Sequence, residues 1–475
     1  MQRLLDRKND IKELESNFNK LESSRYRQYF HVEPISGLLN DPNGFSYHKG
    51  KWVLFYQWYP FAPSHGLKHW YMTESDDLIC FKNKGLGILP KEDFENHGAY
   101  SGTALSIDGK LNLFYTGNHR DEDNIRKPKQ VRAILEDEKI DRKEVIIPTN
   151  TDFTEHQRDP SIFYNKEDGF YYIFLGIQDK NKKGGLGLYR SDNLDSWDYL
   201  GLVKVEGYED FGYMWECPSF AQLDGKDLLI FSPQGVDREK YGFANIDNNG
   251  YLLGKMDFDN LCFIPENDFT LLDHGFEFYA SQLAQKDNNS YLISWLGLPG
   301  LDTQRNNIAN SSLSLVRKLE IKDNKLYQRP LDFKNHLVKS DLYKEKNIEL
   351  NEIEPMRLRI KDIEDYLEVQ IYANEEDKSG LLLSYKDNCL SLDRNYLKDP
   401  VNEKDTNIRK IKTRLKNLEI FIDKSSVEIF VNDGAYSLSS RIFPREDENK
   451  LRISSKRKLL IDVAYIEKLE KDFVI

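Results

Sequence analysis

The chain has 475 residues, with 67 Lys and Arg against 79 Asp and Glu and a formal net charge of −12 at pH 7. That balance disfavours a phosphate backbone as partner, which needs a local cationic excess, and no apolar run approaches the roughly 18 residues of a membrane-spanning helix, so neither nucleic acid nor membrane is expected as a partner. The length is enough for two or three domains, and the four cysteines, Cys80, Cys217, Cys262 and Cys389, have neither CxxC nor any other metal-ligand spacing.

Residues 1–25 read as an N-terminal helical segment. A helix is expected over Asn9 to Leu21, with Asn9 or Asp10 as N-cap and Ile11, Leu14, Phe18 and Leu21 at helical spacing. The segment lacks the apolar core of a secretory signal, so a cytoplasmic location is expected. From 26 to 330 an aromatic, strand-like run recurs five times: WVLFYQ at Trp52, LNLFYTG at Leu111, YYIFLGI at Tyr171, DLLIFSPQG at Asp227 and YLISWLGLPG at Tyr291. Each is preceded by a turn, such as Asp108-Gly109 or Asp224-Gly225, and before that by a shorter apolar stretch. Five strand-turn-strand units about 60 residues long predict a five-bladed β-propeller with long loops; a single irregular sandwich with recurring hairpins is the alternative.

The composition then changes. Lys334 to Glu354 is dense in charge, and after it come short alternating runs: RLRI, YLEVQIYA, GLLLSY, LEIFID, SVEIFV, SLSSRIF, KLRISS and LLIDVAYI. These predict a C-terminal β-sandwich over 331–475. The fold class is therefore all-β, a five-bladed β-propeller followed by a C-terminal β-sandwich.

Three acids stand out by position. Asp41 in LLNDPNG, Asp159 in HQRDPSIF and Glu216 in MWECPSF lie nine or ten residues before the turn glycine of their unit, which places all three at one phase of the repeat and one mouth of the channel. Prolines 42, 160 and 218 stiffen the backbone beside them. Taken singly, Asp41 and Asp159 read as turn formers and Glu216 as a solvated neighbour of Trp215. Two carboxylates are the minimum for glycosidic cleavage, and a third can orient sugar hydroxyls.

The motifs LLNDPNGF, FYQ, YSGTA, RDP, WECP, GFEFYASQ and SSVEIFVNDG occur in one order from about Tyr26 to the end, and the chain so resembles glycoside hydrolase family 32, which contains invertases and sucrose-6-phosphate hydrolases. The resemblance implies a retaining β-fructofuranosidase with Asp41 as nucleophile, Glu216 as general acid/base, and Asp159 with Arg158 on the fructosyl hydroxyls. It further implies that Asn40, Gln57, Tyr100, Ser101, Tyr279 and Trp295 surround the fructose ring, with the backbone of Leu38, Leu39 and Asn40 approaching it. No metal or cofactor is implied, and the expected partner is a small sugar, sucrose 6-phosphate or sucrose. Glu277 stands where the family usually has Asp, and Tyr71-Met72 where Gly-His is frequent. The alternatives are a β-fructosidase acting on unphosphorylated sucrose or short fructans, and a carbohydrate-binding propeller without activity. For a phosphate or leaving-group side the sequence offers the cations His65, Lys68 and His69. Oligomeric state is not legible.

Overall fold

The computed structural model describes residues 3–137, 139–301, 308–376, 378–401 and 406–475. Its helix spans Arg7–Glu22, beginning before the expected start. The reason is Asp6, whose carboxylate accepts hydrogen bonds from the backbone N–H groups of Lys8 and Asn9, while Asp10 reaches back to accept from the Asp6 N–H at 2.8 Å. Capping by Asp6 satisfies orphan donors of the first turn, so the helix starts there and Asn9 and Asp10 lie within it. Leu14, Phe18 and Leu21 are buried as the periodicity predicts; Ile11 is exposed.

The repeat is a five-bladed propeller. The innermost strands are Gly37–His48, Ala99–Ile107, Gln157–Tyr164, Met214–Leu223 and Tyr279–Lys286. Each pairs antiparallel with one of the five aromatic runs, and each inner strand faces the next, the last meeting the first. In four hairpins both turn residues have positive φ (Lys49-Gly50, Asp108-Gly109, Asp224-Gly225 and Asp287-Asn288), the geometry whose twist matches the flanking strands. The third hairpin has a wider turn, closed by Asn165 and Phe170. A short segment, Ala309–Asn310, returns from blade 5 and pairs in parallel with Gly37–Leu38 of blade 1, closing the ring.

The C-terminal strands form a sandwich around one apolar core. Its last strand, Lys450–Ile466, takes up both KLRISS and LLIDVAYI: the first half pairs with Tyr366–Ala373 and the second with Met356–Lys361. The charge-dense stretch holds a strand that the pattern did not reveal, Leu337–Leu350, along the outer side of Lys450–Ile466. As a mostly exposed strand with a single partner it carries charge instead of apolar alternation, the usual protection of a sheet edge. The tail continues onto blade 1, where Asn83 donates to the Asp472 carbonyl at 2.7 Å and the Tyr71 hydroxyl to the Val474 carbonyl at 2.7 Å.

Propeller and sandwich meet over a buried polar network. Arg317, of blade 5, is fully buried and donates to Asp273 at 3.1 Å and to Glu428 at 2.7 Å. His31 bridges Asp423 at 2.8 Å and Glu428 at 3.0 Å. Glu277 reaches from blade 5 to Arg394 at 2.6 Å and to the Arg441 N–H at 2.8 Å. Burial opposes the charge of His31, but hydrogen bonds and charge from Asp423 and Glu428 outweigh it and raise its pKa. The two acids are lowered against the same burial, Asp423 by His31 and Glu428 by Arg317 and His31.

Arg317→Met should therefore cost about 3–5 kcal/mol, because it leaves buried carboxylates uncompensated; urea unfolding measures this, and a loss below about 1 kcal/mol would contradict the network's role. The stabilisation from His31, whose pKa is raised, is complete below its ordinary value near 6.5 and fades as pH rises through the folded value. That from Asp423 and Glu428 is present above about pH 4 and is lost on acidification. His31→Gln should thus flatten the alkaline decline of the urea midpoint in particular.

Candidate active site

At one end of the channel every inner strand contains one residue more than its hairpin partner. The extra residue lies between Leu39 and Pro42, Ala99 and Gly102, Arg158 and Ser161, Glu216 and Ser219, and Tyr279 and Gln282. Such bulges bend a strand and re-aim its side chains. Here they set Asp159, Cys217 and Ala280 at φ of 66°, 48° and 54°, a left-handed conformation that non-glycine residues hold only under surrounding constraint.

The three acids meet at these bulges, but not in the single register expected from counting. Glu216 is the last residue before its bulge, the place held by Arg158 in blade 3 and Tyr279 in blade 5. Asp159 is the first residue inside its bulge, like Asn40 and Tyr100, and Asp41 the second, like Ser101. Counting back from the turn misaligned them because the third turn is wider and the first strand has a second bulge between Asn43 and Ser46.

Asp41 accepts from the Ser101 hydroxyl at 2.5 Å and from the Asn40 amide at 3.1 Å, with the Gln57 amide at 3.4 Å. Gln57 also donates to Ser101 at 2.6 Å. Asp159 accepts from the Cys217 N–H at 3.0 Å, and the Cys217 sulfur lies 3.6 Å from Asp159 and 3.8 Å from Asp41. Glu216 accepts twice from Arg158, at 2.7 and 3.1 Å, and from the Tyr279 hydroxyl at 2.7 Å. Burial raises the Asp41 pKa, and the charge of Glu216 adds to the effect against the Ser101 hydrogen bond. Burial pushes Asp159 up to about 7, despite Arg158. Carboxyls crowded out of water in this way favour the neutral form.

Of the cations offered for a leaving-group side, Lys68 and His69 are buried and His65 is exposed. Lys68 is buried and donates to the Asn40 carbonyl oxygen at 2.5 Å; burial pulls it down to about 7 against the charge of Asp41. His69 is fully buried, accepts from the Leu5 N–H at 3.2 Å through Nε2 and donates through Nδ1 to the Leu67 carbonyl at 2.9 Å. Burial pulls its pKa down to about 4, and both ring nitrogens are engaged within the protein. His65 is exposed at the rim, where the Lys68 charge pulls it down to about 4. Among the ring residues, Tyr100 is partly exposed and its carbonyl accepts from the Trp70 indole. Trp295 lies across the hairpin from Tyr279 and donates to Ser311. Leu38 and Leu39 pair with Tyr59 and Trp58, and the Leu39 side chain belongs to the core.

Four residues at the site were not singled out from the sequence. Cys217 and Asn43 lie inside the quoted motifs; Asn43 accepts from the Gly102 N–H and donates to the Asp41 carbonyl. Thr116 accepts from the Asp159 N–H at 2.9 Å. Asp247, pushed up to about 6 by burial and by Glu216, stands in a loop without any motif. Among the described residues no group of three His, Cys, Asp or Glu side chains is placed to hold a metal ion, and no helix is long and apolar enough to cross a membrane.

Comparison with known proteins agrees with this architecture. The family model described as glycosyl hydrolases family 32 N-terminal domain matches residues 31–330, and that of the family 32 C terminal matches 324–469. The chain belongs to glycoside hydrolase family 32. A relative of this hydrolase, sucrose-6-phosphate hydrolase of Staphylococcus xylosus, is 36% identical over 94% of this chain and 93% of its own length. The solved structure of sucrose-6-phosphate hydrolase from Lactobacillus gasseri superposes with a TM-score of 0.93, at 34% identity and 98% coverage of both chains. A Bombyx mori family 32 beta-fructofuranosidase mutant, solved in complex with sucrose, gives 0.83 at 27% identity, covering 97% of this hydrolase and 99% of its own chain.

The raised pKa of Asp159 makes a testable statement about stability. A carboxyl whose folded pKa stands near 7 destabilises the fold increasingly as pH rises from about 4 to about 7. Asp159→Asn should accordingly melt above the wild type at pH 8 and lose that advantage at pH 4 in differential scanning calorimetry. An Asn variant less stable at pH 8 would contradict the assigned direction.

Proposed function

We propose that this glycoside hydrolase is a retaining β-fructofuranosidase that cleaves sucrose 6-phosphate, and sucrose, into fructose and glucose 6-phosphate or glucose. The observation that carries the proposal is the meeting of Asp41, Asp159 and Glu216 around Cys217, in a chain whose relatives named sucrose-6-phosphate hydrolase align over nearly its full length. In this reading residues 26–330 form the catalytic unit, residues 331–475 brace it, and the enzyme acts in the cytoplasm.

Asp41 is the nucleophile. Ser101, Asn40 and Gln57 fix its carboxylate, and Lys68, by donating to the Asn40 carbonyl oxygen, leaves the Asn40 amide N–H groups aimed at Asp41 and Gln57. Asp41 attacks the fructosyl C2 as the bond from C2 to the glucosyl oxygen breaks, and that oxygen takes a proton from Glu216. Water then attacks C2, its proton returns to Glu216, its hydroxyl remains on the sugar, and the Asp41 carboxylate is released. Arg158 and Tyr279 orient Glu216 between these two proton transfers. Asp159 and Arg158 hold the fructosyl hydroxyls.

Asp41→Asn and Glu216→Gln should each lower kcat by about three orders of magnitude or more without loss of fold, because the covalent and proton-transfer roles act as a unit. Steady-state kinetics with circular dichroism checks this; an Asp41→Asn enzyme keeping about a tenth of wild-type turnover would remove the nucleophile assignment. NMR of the first product should show β-fructofuranose before mutarotation, and initial α-anomer would overturn double displacement. Purified enzyme that cleaves sucrose or short fructans and leaves sucrose 6-phosphate intact would favour the unphosphorylated alternative.

A further inference from the structure

Blade 2 carries a hairpin at the mouth of the channel that the catalytic description does not use. It runs from Asn118 to Lys127 and is stitched to Asn96–Gly98, immediately before the inner strand that bears Tyr100 and Ser101. The His97 N–H donates to the Asn118 carbonyl, the Asn118 N–H to the Gly98 carbonyl, and the Arg120 N–H to the Asn96 side chain, each at 2.9 Å. In this hairpin Arg120 and Arg126 stand directly opposite one another as an isolated antiparallel pair.

Two like charges directly opposed across a strand pair are unfavourable. Among the described residues neither arginine has a carboxylate within ion-pair distance, whereas Lys127 of the same hairpin is paired with Asp121 at 2.8 Å. Arg120 donates through Nη1 to the Asn124 carbonyl. The Nε of Arg126 is buried and has no hydrogen-bond partner. On a chain with a net charge of −12, two facing guanidinium groups without a carboxylate partner suit an anion.

Beyond the hairpin the chain continues to Gln130, whose side-chain amide donates to the Gln157 carbonyl beside Arg158 at 3.5 Å, so the hairpin adjoins the blade that bears Arg158 and Asp159. Burial lowers the pKa of His97, beside the start of blade 2's inner strand, and of His156 in blade 3; the charges of Arg120 and Arg126 on His97, and of Arg158 and Arg126 on His156, act in the same direction. His156 in turn contacts Arg158 at 2.9 Å, and Arg158 holds Glu216 at 2.7 Å. Glu216 is the group that protonates the departing sugar, so a substituent on the far side of that sugar comes to this rim.

We propose that Arg126 and Arg120, with His97 and His156 beside them, form the subsite that receives the 6-phosphate of the leaving glucosyl group. The assignment rests on the β-fructofuranosidase reading above and extends it with the residues that select the phosphorylated substrate. Guanidinium forks match phosphate oxygens in bidentate geometry, and filling the subsite satisfies the orphaned Nε and offsets the repulsion between the two arginines. Lys68 and His69, by contrast, are buried and engaged with Asn40, Leu67 and Leu5.

The test compares kcat/KM for sucrose 6-phosphate and for sucrose in the wild type, Arg126→Gln and Arg120→Gln. Each variant should lose about 10- to 100-fold on the phosphorylated sugar, the worth of one charge-assisted hydrogen bond, chiefly through KM, and keep its rate on sucrose within about two-fold, which also reports that it is folded. Independently of any variant, glucose 6-phosphate should inhibit wild-type sucrose hydrolysis more strongly than glucose does. Variants that lose equally on both sugars, or keep the phosphate preference, overturn the subsite. A wild type that cleaves both sugars with equal kcat/KM overturns it too, while leaving the β-fructofuranosidase reading intact. A wild type that cleaves neither overturns that reading instead.

Discussion

The active site depends on a register slip of one residue, repeated five times at the same height of the propeller. A regular antiparallel strand would turn alternate side chains away from the channel. The extra residue breaks that alternation where blades 1, 3 and 4 each contribute an acid, so Asp41, Asp159 and Glu216 meet although they come from three different positions relative to their bulges. The cost is visible in the left-handed backbone of Asp159 and Cys217. The surrounding hydrogen bonds hold it: the Cys217 N–H serves Asp159, and the Asp159 N–H is taken up by Thr116. Strain and function therefore occupy the same residues.

The neighbourhood of the acids is kept polar but dry by elements far away in sequence. His69 is fully buried, and its Nε2 accepts from the Leu5 N–H, 64 residues earlier. Next to it Lys68 is held inside, against Asn40. At the other end of the propeller's attachments, Glu428 and Asp423 of the sandwich are neutralised by His31 and Arg317 from the propeller side. Removing one member of such a set leaves another charge buried and unpaired, so propeller and sandwich depend on one another for more than contact area.

Much of this was legible from the residues. The five runs beginning at Trp52, Leu111, Tyr171, Asp227 and Tyr291 announced the blades because buried strands are apolar and aromatic and their hairpin turns demand Gly, Asn and Asp. The strand Leu337–Leu350 escaped because an exposed edge is selected for charge, which reads as a linker. The pattern does not fix the helix start because Asp6, Asn9 and Asp10 are all acceptable caps by residue type. The acids could be picked out by motif but not placed in register, since a bulge has no compositional mark and adds to the count. Lys68 and His69 read as rim cations because their burial is decided by Leu5 and Asn40, and no local pattern around Lys68 encodes either contact.

The closure of the ring has a consequence for how the protein is made. The inner strand of blade 1 receives its parallel partner, Ala309–Asn310, only after the other four inner strands have been synthesised, and Tyr71 waits for the carbonyl of Val474. Until then a nascent chain on the ribosome presents the open edge of Gly37–Leu38 to its surroundings, and such an edge can pair with another chain. Completion of the first blade is thus a late event of synthesis, and contacts of this separation slow folding. Conditions that lower the rate of translation, or chaperones that shield exposed strands, should decide the yield of soluble enzyme more than they affect its stability once folded.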